Sequence, residues 1–278
     1  MPELPEVETV RRQLEPLLLR RTFQYVEIAD ARLVRPYDPV EVAAELSGER
    51  VAAVERRGKY LIVRFESGRV LLVHLRMTGS FRHGGRGSLQ DVPHRRAVVT
   101  LENGPDVAYR DVRRFGTWTL LEPGELEPYL AVRVGPEPLG TRFTTTFLRG
   151  RLAGRSAPLK AAILDQRTVA GLGNIYADES LWRARLDPRT PAGALDAADV
   201  AVLRRGIRAA LRRGIAKEGA DLGDGVYPNG SMQDALHVYG RGGEPCGRCG
   251  TPIAKTRLGG RGTWFCPMCQ GRPNAGLD

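Results

Sequence analysis

Four cysteines constrain this chain more than any other feature. All fall near its end, as Cys246-Gly-Arg-Cys249 and Cys266-Pro-Met-Cys269, with sixteen residues between the two pairs. Two Cys-x-x-Cys knuckles at this separation bring four thiolates together tetrahedrally around Zn²⁺. A four-sulfur site has no open coordination position, so one structural zinc is expected, folding the segment without doing chemistry. Clustering also argues against a disulfide framework. Between the knuckles, Lys255, Arg257 and Arg261 fall on an expected two-stranded hairpin. A basic hairpin of this kind suits a nucleic acid backbone, although many zinc ribbons contact protein instead.

The charge balance leans the same way. The chain has 42 Lys and Arg against 32 Asp and Glu, a formal net charge of +10. Such an excess favours a polyanionic partner. No apolar run approaches a membrane span and the N-terminus lacks a signal-peptide core, which predicts a cytoplasmic protein. A length of 278 residues suggests two domains, each large enough for its own core.

The N-terminus reads Met1-Pro2-Glu3-Leu4-Pro5-Glu6-Val7-Glu8. Removal of Met1 leaves Pro2 with a free secondary amine. An α-amine has a pKa of roughly 7.7–8.0, so a useful fraction is unprotonated near neutrality. It can attack an electrophilic carbon to form an iminium, with Glu3 beside it to move protons. Helix-start chemistry explains the same residues, since Pro and Glu both suit a first helical turn. Val7, Val10, Leu14, Leu17 and Leu18 recur at helical spacing behind them.

From Thr22 to Leu121 short β-rich runs alternate with Gly, Pro and Asn turns, among them Val51–Val54, Tyr60–Phe65, Val70–Leu75, Ala97–Leu101 and Thr117–Leu121. They predict an antiparallel sandwich or flattened barrel. Three stretches carry a second reading. Lys59, in Arg56-Arg57-Gly58-Lys59-Tyr60, is either a solvated edge or a phosphate ligand. Met77, before Thr78-Gly79, is core filler or part of a wedge. In Asp111-Val112-Arg113-Arg114-Phe115-Gly116, an aromatic ring flanked by guanidiniums is either a surface hairpin or an insertion into a base stack. Gly135-Pro136-Glu137-Pro138 marks a linker. Helices are expected over Thr144–Leu152, Leu159–Gln166, from Asn174 to about Ala184, and over Asp196–Glu218. Asn174 follows Gly171-Leu172-Gly173, placing it as an N-cap, a phosphate ligand, or both. Gly219–Leu236 reads as a loop.

These motifs, in this order, resemble the formamidopyrimidine-DNA glycosylase and endonuclease VIII family over nearly the full length. The carriers are Pro-Glu-Leu-Pro-Glu-Val-Glu, Arg-Gly-Lys-Tyr-Leu, His-Leu-x-Met-Thr-Gly, Arg-Arg-Phe-Gly, Gly-Leu-Gly-Asn-Ile-Tyr-Ala and the four-cysteine finger. Leu4 matches the formamidopyrimidine branch. The resemblance implies an α+β multidomain fold: an N-terminal β-sandwich with an N-terminal helix (1–132), a linker (133–143), a helical domain with a helix–two-turn–helix (144–236), and a zinc finger and tail (237–278).

It further implies a monomeric bacterial enzyme, associated with the nucleoid through its substrate, that binds double-stranded DNA carrying an oxidised base. Pro2 would attack C1′, Glu3 would move protons, and β,δ-elimination would cut the strand. Glu6 would join that cluster. Lys59, Asn174 and Arg261 would grip phosphates, with His94 also on the DNA. Met77, Arg113 and Phe115 would fill the gap left by the flipped base. The chain departs from the family pattern in three places: Arg76 replaces a usual Gly, His94-Arg95-Arg96 replaces a His-x-His, and the 219–236 loop is short. Two other readings remain at this point: the same chemistry on oxidised pyrimidines, and a DNA-binding protein without catalysis.

Overall fold

A computed structural model describes residues 1–221 and 230–271. The chain forms two compact units, the first Met1–Val132 and the second built from Arg133–Ala220 and residues 230–271.

The first unit opens with helix α1 (Leu4–Leu18). Its buried face is Val7, Val10, Leu14 and Leu18, the apolar stripe read from the sequence. Strand β1 (Phe23–Ile28) and a 3₁₀ turn at Ala31–Val34 follow, then α2 (Pro39–Leu46). Helix α2 lies inside the stretch expected to be only β. Its start is chemically specified: Asp38 caps it by accepting the Val40 N–H at 2.7 Å, and Pro39 occupies the first turn.

Seven strands complete the sandwich: β2 (Val51–Arg57), β3 (Tyr60–Phe65), β4 (Val70–His74), β5 (Gly79–Gly84), β6 (Arg95–Leu101), β7 (Asp106–Asp111) and β8 (Thr117–Leu121). They form two antiparallel four-stranded sheets, ordered β2-β3-β4-β8 and β1-β6-β7-β5. Leu61, Val63, Leu71 and Val73 from one sheet share a core with Val26, Val99 and Val107 from the other, and α1 joins it. Burial of each such side chain contributes about 1.5–3 kcal/mol. Strand β4 is buried on both faces, which is why its sequence does not alternate. Helix α3 (Leu126–Ala131) reaches the outer face, where Tyr129 meets Tyr60 edge-on at 6.4 Å.

The second unit holds α4 (Thr145–Leu152), α5 (Leu159–Leu164), α6 (Asn174–Ala184) and α7 (Ala197–Ala216). Thr144 and Asp196 cap α4 and α7 through their side chains. The segment expected as a linker is tied down within this unit: Gly135 N–H donates to the Gln166 carbonyl at 2.9 Å, and Arg208 donates to the carbonyls of Pro138, Leu139 and Gly140. The expected hairpin is present as β9 (Ala254–Leu258) and β10 (Arg261–Phe265), antiparallel, joined by Gly259–Gly260. Among the described residues, no helix is long and apolar enough to cross a membrane.

Candidate functional site

At the tip of α1, Pro2, Glu3 and Glu6 are all buried. Glu3 is the N-cap. Its carboxylate accepts the Glu6 backbone N–H, and its own N–H donates to Glu6 Oε2 at 2.9 Å. The helix-start reading is therefore correct, and it leaves the chemical reading open. The reciprocal bonds of this capping box hold both carboxylates in fixed orientation beside Pro2.

One turn further on, Glu8 anchors the helix to the sheet. It accepts Arg12 at 3.0 Å, Arg11 at 3.1 Å and Arg56 of β2 at 3.2 Å. Burial raises its pKa, but the Arg11, Arg56 and Arg12 guanidiniums outweigh it and hold the carboxyl below the usual range. Arg56 also donates to the Gly58 carbonyl at 3.0 Å, immediately before Lys59. Lys59 is buried at the β2–β3 turn. Sequence reasoning gave Glu8 and Arg56 no role, because a long-range ion pair leaves no local pattern.

Beyond Lys59 lie the residues read as a candidate wedge. His74, at the end of β4, is buried edge-on against Tyr60 at 4.8 Å and accepts the Arg76 N–H on Nδ1 at 3.0 Å. Burial, reinforced by the charges of Arg76 and Lys59, pushes its pKa down to about 3. Arg76 sits at φ +54, the left-handed region, which explains why glycine suits that position. Met77 is half-buried beside it. Arg113 and Phe115 are exposed on the β7–β8 turn, the Arg113 guanidinium 4.9 Å from the Phe115 ring centre. Phe115 is 52% exposed, a large apolar surface left in water. Arg114 makes a bidentate pair with Asp30 at 2.6 and 2.8 Å, and this hydrogen-bonded guanidinium holds Asp30 below the carboxylate range. His94 is exposed at φ +62.

The remaining residues belong to the second unit. Gly173, not Asn174, is the N-cap of α6. Asn174 stands at the first helical position, and its Nδ2 donates to the Gly262 carbonyl at 3.1 Å. The same carbonyl accepts Lys160 Nζ at 2.7 Å. Arg261, the residue before Gly262, is exposed at the start of β10. Lys160 and Asp178 form a fully buried pair at 2.8 Å, and Asp178 accepts the Trp264 N–H at 3.0 Å. Glu179 accepts the N–H groups of His237, Val238 and Tyr239 at 2.8, 2.9 and 3.2 Å. Helix α6 thus carries both Asn174 and the anchors of the cysteine segment.

The four cysteine sulfurs lie within 4.8 Å of one another. The Cys246–Cys269 and Cys249–Cys266 separations are 4.0 and 3.5 Å. Tetrahedral zinc with Zn–S bonds near 2.3 Å requires sulfurs about 3.8 Å apart, so the cluster fits one ion. Arg248 and His237 stack on Trp182 at 3.6 and 4.0 Å and buttress it.

Three family descriptions match in succession: Formamidopyrimidine-DNA glycosylase N-terminal domain over residues 1–118, Formamidopyrimidine-DNA glycosylase H2TH domain over 134–224, and Zinc finger found in FPG and IleRS over 243–271. The chain belongs to the formamidopyrimidine-DNA glycosylase family. A relative of that name from Symbiobacterium thermophilum is 46% identical over 98% of this chain and 90% of its own length. One from Moorella thermoacetica is 45% identical over 92% and 95%. Among solved structures, Lactococcus lactis Fpg in complex with abasic-site DNA superposes with a TM-score of 0.90 at 36% identity, covering 97% of this chain and all of that one. The same protein with DNA containing an oxidised pyrimidine gives 0.91 at 37%, covering 98% and all of it. The α+β architecture and the single structural zinc on Cys246, Cys249, Cys266 and Cys269 are those of the family.

Proposed function

We propose that Pro2, freed by removal of Met1, is the nucleophile of a bifunctional DNA glycosylase and abasic-site lyase in base excision repair. Glycosylase activity follows from family membership. The observation that carries the mechanism is the locked cluster at the tip of α1, where Glu3 and Glu6 are 2% and 3% exposed beside Pro2. The Pro2 nitrogen adds to C1′ as the C1′–N bond to the base breaks, and the base leaves with a proton. Glu3 protonates O4′ as the C1′–O4′ bond opens, which leaves an iminium between Pro2 and C1′, and it moves protons during elimination. The resulting iminium acidifies the C2′ hydrogen, so its loss expels the 3′ phosphate and a second elimination expels the 5′ phosphate. Lys59, Asn174, Arg261 and His94 serve as DNA ligands. Met77, Arg113 and Phe115 fill the space left by the everted base, where lost stacking costs a few kcal/mol.

The substrates read from the family are formamidopyrimidine and 8-oxoguanine in duplex DNA. Solved complexes of the Lactococcus lactis relative contain Fapy-dG, abasic and oxidised-pyrimidine DNA. The shortened loop at 219–236, on which lesion preference was read, includes residues 222–229, which lie outside the described residues. Exchange of Pro2 tests the mechanism. Pro2→Gly is expected to slow excision from an 8-oxoguanine duplex by about 100-fold or more, while binding to a duplex with an abasic-site analogue stays within about threefold. Equal loss of both would reduce Pro2 to a helix start.

A further inference from the structure

We infer that Thr78 and Asp111 are positioning residues that clamp the Met77 loop and the Arg113–Phe115 turn into one preformed wedge. The inference rests on the wedge reading given above. Asp111 is 1% exposed at the end of β7. Its Oδ1 accepts the Thr78 hydroxyl, and its Oδ2 accepts the Gly116 N–H at 2.7 Å. Thr78 Oγ1 in turn accepts the Arg113 N–H at 3.0 Å. One carboxylate and one hydroxyl thereby join the residue after Met77 to both ends of the Arg113–Phe115 turn.

The same aspartate reaches His94. Its backbone N–H donates to the His94 carbonyl at 3.0 Å, and its carbonyl accepts Arg96 Nε at 2.9 Å. Asp111 therefore bonds to the His94 carbonyl and to the chain neighbours of Met77 and Phe115, and through Thr78 to Arg113. Tyr109 supplies a steric counterpart. A Cβ on Gly79 would lie 2.3 Å from the Tyr109 hydroxyl, and a Cβ on Gly116 would lie 1.9 Å from it. The Tyr109 hydroxyl crowds both Cβ positions, and the Leu75 carbonyl oxygen, 2.5 Å away, also closes that of Gly79. The glycines of Met-Thr-Gly and Arg-Arg-Phe-Gly are two halves of one packing arrangement.

Such a clamp has a specific use. A wedge assembled only on contact with DNA would be ordered at the expense of binding energy, whereas a preformed one enters the stack without that cost. The tip remains free to act, since Arg113 and Phe115 are exposed while the base of the turn is fixed by Asp111 and by the Arg114–Asp30 pair.

Loss of the clamp should harm base eversion more than the chemistry that follows it. Thr78→Val keeps the side-chain shape and removes both hydroxyl bonds; Thr78→Ser restores them. Single-turnover excision of 8-oxoguanine opposite cytosine by Thr78→Val is expected to fall about tenfold or more. Cleavage of a preformed abasic duplex should fall about threefold or less, and Thr78→Ser should recover most of the excision rate. Asp111→Asn, which keeps the shape and alters one acceptor, should show the same bias toward loss of excision. Excision by Thr78→Val within twofold of the parent, or proportional loss of both reactions, would overturn the clamp. Phe115→Ala is the control: normal excision by it would remove the wedge reading itself. Slow excision by Phe115→Ala with normal excision by Thr78→Val would remove only the clamp.

Discussion

At the scale of single residues, the side chains proposed for chemistry stand where local structure already demands them. Glu3 caps α1 and stands beside Pro2; His74 closes β4 and supports the Arg76 backbone. His74 also gives the first unit a pH dependence. Its pKa is about 6.5 unfolded and about 3 folded, so the unfolded chain binds the proton first. Stability from the neutral imidazole is full above pH 6.5 and is lost as pH falls toward 3, at about 1.4 kcal/mol per unit. Denaturant melts at pH 7 and pH 5 should show the parent losing about 2 kcal/mol more than His74→Gln. Parallel losses would show that His74 titrates normally. His237, which burial and the surrounding arginines depress to about 4, acts in the same direction and is common to both proteins. The individual motifs were legible because each is short and contiguous. Thr78 and Asp111 were not, because 33 residues separate them and their bond exists only after β5 and β7 pair.

At the scale of elements, legibility followed the physical constraint on each. The cysteine spacing admits few geometries, so zinc ligation and the β9–β10 hairpin followed from it directly. Strands β3, β4 and β8 fell where apolar runs were read. Helix α2 was missed because Val40, Val42 and the surrounding turns suit a strand equally well, and only the Asp38-Pro39 start distinguishes them. Asn174 was expected to cap α6, but Gly173 holds that position and frees the amide to reach Gly262. This contact depends on the zinc hairpin being folded, which yields a further expectation. Verified removal of zinc should abolish binding to a duplex carrying an abasic-site analogue, measured by fluorescence anisotropy, and zinc should restore it. Full binding by metal-free protein would separate the finger from DNA recognition. Zinc loss should also be easier at low pH, because protons compete for the four thiolates.

At the scale of the whole molecule, the residues assigned to one reaction are divided between two units. Of the residues proposed above, Pro2, Glu3, Glu6, Lys59, Met77, His94, Arg113 and Phe115 belong to the first unit; Asn174, Arg261 and the zinc site belong to the second. Family membership was readable because the motifs occur in fixed order across both units, and the excess of ten positive charges suits a polyanion. The proposed chemistry requires covalent attachment through Pro2. Borohydride trapping on a duplex carrying 8-oxoguanine opposite cytosine, alongside oxidised-pyrimidine and abasic duplexes, tests it directly, because reduction converts the iminium into a stable protein–DNA adduct. An adduct with the 8-oxoguanine duplex that peptide mapping places on Pro2 is expected. An adduct mapping to another residue, or none on any duplex from protein shown to lack Met1, would contradict it.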